Sequence, residues 1–190
     1  MNFIKRLIAW STLLVAIDQA IKLFIASFMM EAEFIIIPHV FTFRTYQNIN
    51  LGWIPNMLDF MMPLYMAVGI SLISLTFIVI AYRYLKFCTG GLVRLSKSLD
   101  VFLVFALAAV ICKMIDDIFW GGSLDYIQFF DWVIFDLKDV YLTTIAIPIL
   151  LFIIIALEVH QIRIPKTERK DFARKQSIRN WIKLGFPMKP

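Results

Sequence analysis

The chain has 190 residues, of which 61% are hydrophobic and only 17% charged, with a formal net charge of +5 and a mean hydropathy of +0.78. Soluble domains are roughly half apolar and a quarter charged, so this composition leaves too little polar surface to cover a globule and places the chain in a membrane. A soluble enzyme and a nucleic-acid-binding reading of the positive charge are excluded with it.

A helix needs about 20 apolar residues to cross a hydrocarbon core, and four runs of that kind occur. Leu7 to Met30 comes first and carries Asp18 and Lys22. It follows Lys5 and Arg6, but it exceeds the apolar length of a cleaved signal and has no small-x-small site, so it is expected to be retained. Residues 31–56 form the one long polar connection. Within it Phe41-Thr42-Phe43-Arg44-Thr45-Tyr46 alternates as a strand does, before a turn-rich Asn48-Ile49-Asn50-Leu51-Gly52, which predicts a small β-element on the membrane surface. Phe60 to Tyr82 and Val140 to Leu157 are uncharged spans, the latter holding Pro148 as a tolerated kink. Between them Val101 to Phe119 ends among Lys113, Asp116 and Asp117. The expected fold is an all-α membrane protein with four transmembrane helices and an extracytoplasmic β-element. Residues 1–160 form the membrane domain and 161–190 a basic cytoplasmic tail. That tail is either an interfacial helix on anionic lipid or a solvated stretch that enforces topology. Cys88 and Cys112 lie in or beside spans at different levels, so no disulfide is expected.

Fifteen of the nineteen Lys and Arg residues precede span one, join spans two and three, or follow residue 160. Cytoplasmic loops carry such an excess, so both termini are expected inside and the acidic connections outside.

Ionisable groups in a span are costly and normally face the bundle interior with a partner. Asp18 and Lys22, four apart, share one helix face and are expected to pair and brace the outer half of the site. Six carboxylates, Asp116, Asp117, Asp125, Asp131, Asp136 and Asp139, fall within 24 residues at the outer ends of spans three and four. The only histidines are His39 and His160, so neither a metal site nor a serine nucleophile with a nearby histidine base is expected. Two aspartates sharing one proton need neither, because together they can activate a water and protonate a leaving amine.

The ordered motifs resemble those of the lipoprotein signal peptidases (signal peptidase II). Asp18, Gln19 and Lys22 match the D-Q-x-x-K of span one, and Asn50-Leu51-Gly52 matches the outer N-x-G, followed by Trp53-Ile54-Pro55 in place of the usual small and phenylalanine residues. The G-N-x-x-D-R at the end of span three is met in part: Cys112 and Lys113 replace G-N, Asp116 matches, and Asp117 replaces the arginine. Gly122-Ser123-Leu124-Asp125-Tyr126 is similar to the glycine motif ending in D-F or D-Y. Phe135-Asp136-Leu137-Lys138-Asp139 is similar to F-N-x-A-D, with Asp136 for Asn and Lys138 for Ala.

The resemblance implies an intramembrane aspartic endopeptidase of the bacterial cytoplasmic membrane that removes signal peptides from lipid-modified prolipoproteins just before the diacylglyceryl cysteine. It implies catalysis by Asp125 and Asp139, with Asp18, Lys22, Asn50, Gly52, Asp116, Asp117, Tyr126, Asp136 and Lys138 in supporting or substrate-binding positions. Partners are then a lipidated prolipoprotein and membrane lipid, without nucleic acid, metal or cofactor, and a monomer is expected. Asp117, Asp136 and Lys138 are expected to form a compensating network, with Lys138 replacing the lost arginine as the cation beside the dyad. The departures leave a non-catalytic, lipoprotein-binding or regulatory member of the same fold as the alternative. A proton-coupled transporter is disfavoured, because its carboxylates would lie at mid-membrane and spans two and four carry none.

Overall fold

The computed structural model describes residues 3–188 apart from Gly91 and Asp131, so the expected place of Asp131 in the acidic cluster lies outside the described residues. Among the described residues, four helices are long and apolar enough to cross a membrane. They are α1 (Phe3–Phe28), α3 (Leu64–Cys88), α4 (Val93–Ile115, prolonged by a π-helical turn over Asp116–Trp120), and a fourth span. That last span comprises the short α5 (Leu137–Asp139), π-helical turns over Val140–Ala146, and α6 (Ile147–Arg163). Each extends past its apolar run at one end or both, since a helix continues past the hydrocarbon until something stops it, although α1 ends at Phe28, short of the expected Met30. Pro63, with extended backbone, sets the start of α3 four residues later than hydropathy suggests. The π turns run up to Pro148, whose nitrogen has no hydrogen to donate back along the helix.

Helix α4 is the centre of the bundle and the most buried span, with α1, α3 and α6 packed around it. Ala106, Ala108 and Ala109 are fully buried on it and let its neighbours approach closely. Ser11 donates to the Val104 carbonyl at 3.2 Å and Tyr141 to the Leu14 carbonyl at 3.2 Å, tying α1 to α4 and to the fourth span.

The β-element is larger than the alternating segment indicates. Strands β1 (Glu33–Ile37), β2 (Phe41–Asn48), β3 (Ser123–Phe129) and β4 (Val133–Phe135) form one antiparallel sheet in the order β1-β2-β3-β4. Thus the expected element in residues 31–56 supplies only half the sheet, and the connection between spans three and four supplies the rest. Tyr46 pairs with Asp125 and Asn48 with Ser123 across β2 and β3, below a bulge between Phe43 and Tyr46.

Gly122 makes this junction possible. Its φ is +146°, and a Cβ placed on it would lie 2.3 Å from the Asn48 carbonyl oxygen. Gly121 has a left-handed φ of +65°, but open space around a Cβ. Gly122→Ala is expected to push β2 from β3 and lower thermal stability by about 2 kcal/mol or more, against about 1 kcal/mol for Gly121→Ala. Equal melting of the two variants in detergent would show that the close approach to Asn48 carries no weight.

Beyond Arg163 the basic stretch forms α7 (Lys166–Lys175) and α8 (Ile178–Lys183). It is not simply solvated: Trp181 is buried against Tyr84 of α3, Tyr84 donates to the Gln176 carbonyl at 3.1 Å, and Gln176 donates to the Cys88 carbonyl at 2.9 Å. Cys88 and Cys112 are both buried and free.

Candidate active site

At the sheet end of the bundle, a cavity of about 950 Å³ opens between β2, β3, β4, the loop before α2 (Trp53–Met57), and the start of the fourth span. Ser123, Asp125, Lys138 and Asp139 line its floor, while Phe129, Trp132 and Phe135 are among the apolar residues of its wall. The wall suits an apolar chain and the floor suits polar chemistry.

Asp125 and Asp139 reach this floor by different routes. On a strand, residues two apart face the same side, so Ser123 and Asp125 project together, and the Ser123 hydroxyl lies 2.7 Å from Asp125 Oδ1. Asp139 sits in the first turn of its helix and is held by a reciprocal cap: Asp136 Oδ1 accepts from the Asp139 amide at 3.2 Å, and Asp139 Oδ2 accepts from the Asp136 amide at 3.4 Å. One carboxylate oxygen from each of Asp125, Asp136 and Asp139 lies within 4.8 Å of the others. That separation admits one water hydrogen-bonded to both Asp125 and Asp139. Such a carboxylate group has the spacing of a cation site, but the Lys138 ammonium already contacts Asp136 and lies 3.7 Å from Asp125.

Behind Asp125 and Asp139 lies a buried charge network. Asp18, Lys22, Asp116 and Asp136 are all fully buried. Lys22 reaches Asp18 at 3.0 Å, Asp116 at 2.6 Å and Asp136 at 2.6 Å, so the expected i,i+4 pair is present and extends to two further helices. Gln19 donates to Asp116 at 3.1 Å and accepts from the Trp120 indole at 3.0 Å. Lys138 adds contacts to Asp116 at 3.2 Å and to the Ser123 hydroxyl. Burial pushes the Asp136 carboxyl up, but Lys138 and Lys22 outweigh it and hold the group below the usual carboxylate range. For Asp125 burial dominates over the attraction of Lys138, and its pKa is pushed up to about 7.

Of the three residues expected to form one network, Lys138 and Asp136 meet and Asp117 does not join them. Lys138 pairs with Asp136 and stands beside Asp125, whereas Asp117 pairs with Lys113 one turn away on its own helix. The short reach of a side chain on α4 explains this: Lys113 and Asp117 are i,i+4 neighbours, the same spacing that identifies Asp18 and Lys22. Lys113 also donates to the Leu51 carbonyl at 3.1 Å, fastening the loop before α2, in which Leu51 adopts a left-handed φ of 59°. Gly52 lines the cavity; Asn50 is not on its wall and donates to Asn56 at 3.2 Å. Tyr126, next to Asp125 and therefore on the other face of β3, is buried with Leu124, Phe43 and Ile25 away from the cavity. The contacts of Ser123 and the Lys113–Asp117 pair were not among the expected site features.

Comparison with known proteins places these observations. The model of the family described as Signal peptidase (SPase) II matches residues 10–156. Two solved structures, each described as a bacterial membrane enzyme, share the architecture. One is 22% identical, covering 87% of this chain and 95% of its own, with a TM-score of 0.58. The other is 20% identical, covering 80% of this chain and 93% of its own, with a TM-score of 0.56. Curated proteins give no match.

Proposed function

The chain belongs to the signal peptidase II family, and from that premise we propose that it is an intramembrane aspartic endopeptidase cutting lipid-modified prolipoproteins just before the diacylglyceryl cysteine. The single observation that carries this reading is the pair Asp125 and Asp139, set within 4.8 Å on the floor of one cavity. The acyl chains and apolar signal segment meet the apolar wall, and the scissile carbonyl reaches the floor. Asp139 lies in the first turn of a helix, where the dipole favours the carboxylate, so it takes the proton of the bridging water. Asp125, pushed up toward 7 by burial, holds the proton of the dyad. As the water oxygen bonds to the carbonyl carbon, Asp125 protonates the carbonyl oxygen. Collapse breaks the C–N bond and the proton gained by Asp139 passes to the leaving amine, while the carbonyl re-forms and returns its proton to the dyad.

The reading includes a monomer in the bacterial cytoplasmic membrane, with the basic ends of the bundle and residues 161–190 on the cytoplasmic side, supported by the Lys and Arg asymmetry. Asp18, Lys22, Asp116 and Asp136 support the dyad from behind, Gly52 and Asp117 shape the outer loop and its anchor, and Tyr126 and Asn50 hold the sheet and loop that carry the site.

A second reading is favoured by Lys138. An ammonium 3.7 Å from Asp125 favours ionisation of both acids and works against the shared proton, which would leave a lipoprotein-binding protein without peptidase activity. Purified protein in lipid nanodiscs, incubated with a diacylglyceryl-modified prolipoprotein, separates the two. Release of the signal peptide with loss of the gel-mobility difference is the expected result. Retention of intact substrate by co-purification, without cleavage, would establish the binding protein instead.

A further inference from the structure

Ser123 and Lys138 stand at the cavity floor and take no part in the water chemistry. Lys138 has three N–H donors; two go to Ser123 Oγ and Asp136 Oδ2, and Asp116 Oδ2 lies within ion-pair distance at 3.2 Å. The ammonium is thus held among three oxygens behind the floor, and Asp125 at 3.7 Å lies beyond its hydrogen-bond reach. Ser123 accepts from Lys138 and has one proton to give. Its candidate acceptors are Asp125 at 2.7 Å, Asp136 at 3.2 Å and Asp116 at 3.4 Å. The nearest is Asp125; Asp136 Oδ2 already receives Lys138 and Asp116 Oδ2 already receives Lys22. The serine is not a nucleophile with a lysine base, since an ammonium engaged by two carboxylates has no lone pair to accept the serine proton.

Taking the Asp125–Asp139 pair as the peptidase dyad, we infer that Lys138 and Ser123 form a hydrogen-bond relay, Lys138 to Ser123 to Asp125, that positions the Asp125 carboxyl and sets the pH range in which the dyad holds its single proton.

The relay opposes burial, because a hydrogen bond donated to a carboxylate and a nearby ammonium both favour the charged form. The groups facing Asp125 are Tyr46 across the strand pair, Asp116 from the end of α4, and Asp136, Lys138 and Asp139 from the start of the fourth span. Lys113 lines the same cavity, and Lys22 with Asp18 acts from behind through Asp136. Only Ser123 donates to Asp125 among the described hydrogen bonds, so removing its hydroxyl alters one contact and leaves this charge set in place.

The test uses the full chain in nanodiscs with two readouts. For cleavage, Ser123→Ala is expected to move the alkaline limb of the pH–rate profile, where Asp125 loses its proton, to higher pH by about one unit, and Ser123→Thr, which keeps the hydroxyl, to restore the wild-type midpoint. For titration, the aspartic C=O stretch in infrared difference spectra, assigned to Asp125 by its loss in Asp125→Asn, should show the same shift. Lys138→Met should move both further in the same direction. The infrared midpoint does not require turnover, so a wild-type protein that fails to cleave removes the peptidase reading while the relay is still decided. Unmoved profile and midpoint in Ser123→Ala, or a Ser123→Thr shift as large as that of alanine, would overturn the relay.

Discussion

Asp125→Asn and Asp139→Asn are each expected to reduce cleavage of a lipidated prolipoprotein by about a hundred- to ten-thousand-fold, the range general acid–base catalysis contributes. The amide keeps the shape of the carboxyl and removes its proton chemistry, so the folded protein remains. Asp125→Asn carries a second, independent signature in stability. The folded-state pKa of Asp125 is raised from 3.8 to about 7 because burial penalises the charge. Between those values the folded protein keeps a proton that the unfolded chain has released, so the contribution of Asp125 to stability falls as pH rises through this window. The asparagine variant should therefore melt higher than wild type at pH 8, with the difference disappearing near pH 4. Cleavage retained in either variant would remove that residue from the mechanism. An Asp125→Asn variant no more stable than wild type at pH 8 would show that the carboxyl is not penalised by its surroundings.

Lys22→Met is expected to destabilise the protein by about 3–5 kcal/mol, the range for breaking a buried ion pair from one side. Lys22 serves Asp18, Asp116 and Asp136 at 3.0 Å or less, and all four side chains have no solvent exposure. Methionine keeps most of the volume, so the loss reports charge rather than a cavity. Activity should fall with stability, since Asp136 caps the turn that presents Asp139. Adding Asp116→Asn should recover part of the loss by removing one of the stranded charges, which a double-mutant comparison of thermal unfolding would measure. A single variant that melts like wild type would make the three contacts energetically idle.

The four spans were legible in the sequence because bilayer thickness demands a local property, about 20 consecutive apolar residues, and helical spacing is also local. For the same reason Asp18 and Lys22 could be paired from their i,i+4 separation, and Lys113 with Asp117 was equally open to that reasoning. The sequence by itself also marked Asp125 and Asp139, through motif order. What only the tertiary structure decided is how distant segments meet. Strand β3 pairs through backbone groups with β2, more than seventy residues upstream, and carries β4 as its hairpin partner, and the side-chain pattern of neither announces them. That pairing turns Asp125 toward the cavity and Tyr126 away from it. The partners of Lys22 and Lys138 come from three different helices and a strand, and a buried ammonium is satisfied by whichever oxygens the packing brings within about 3 Å. No spacing along the chain encodes that choice. Spans and i,i+4 pairs follow from neighbours in sequence; the composition of the charge network follows from neighbours in space.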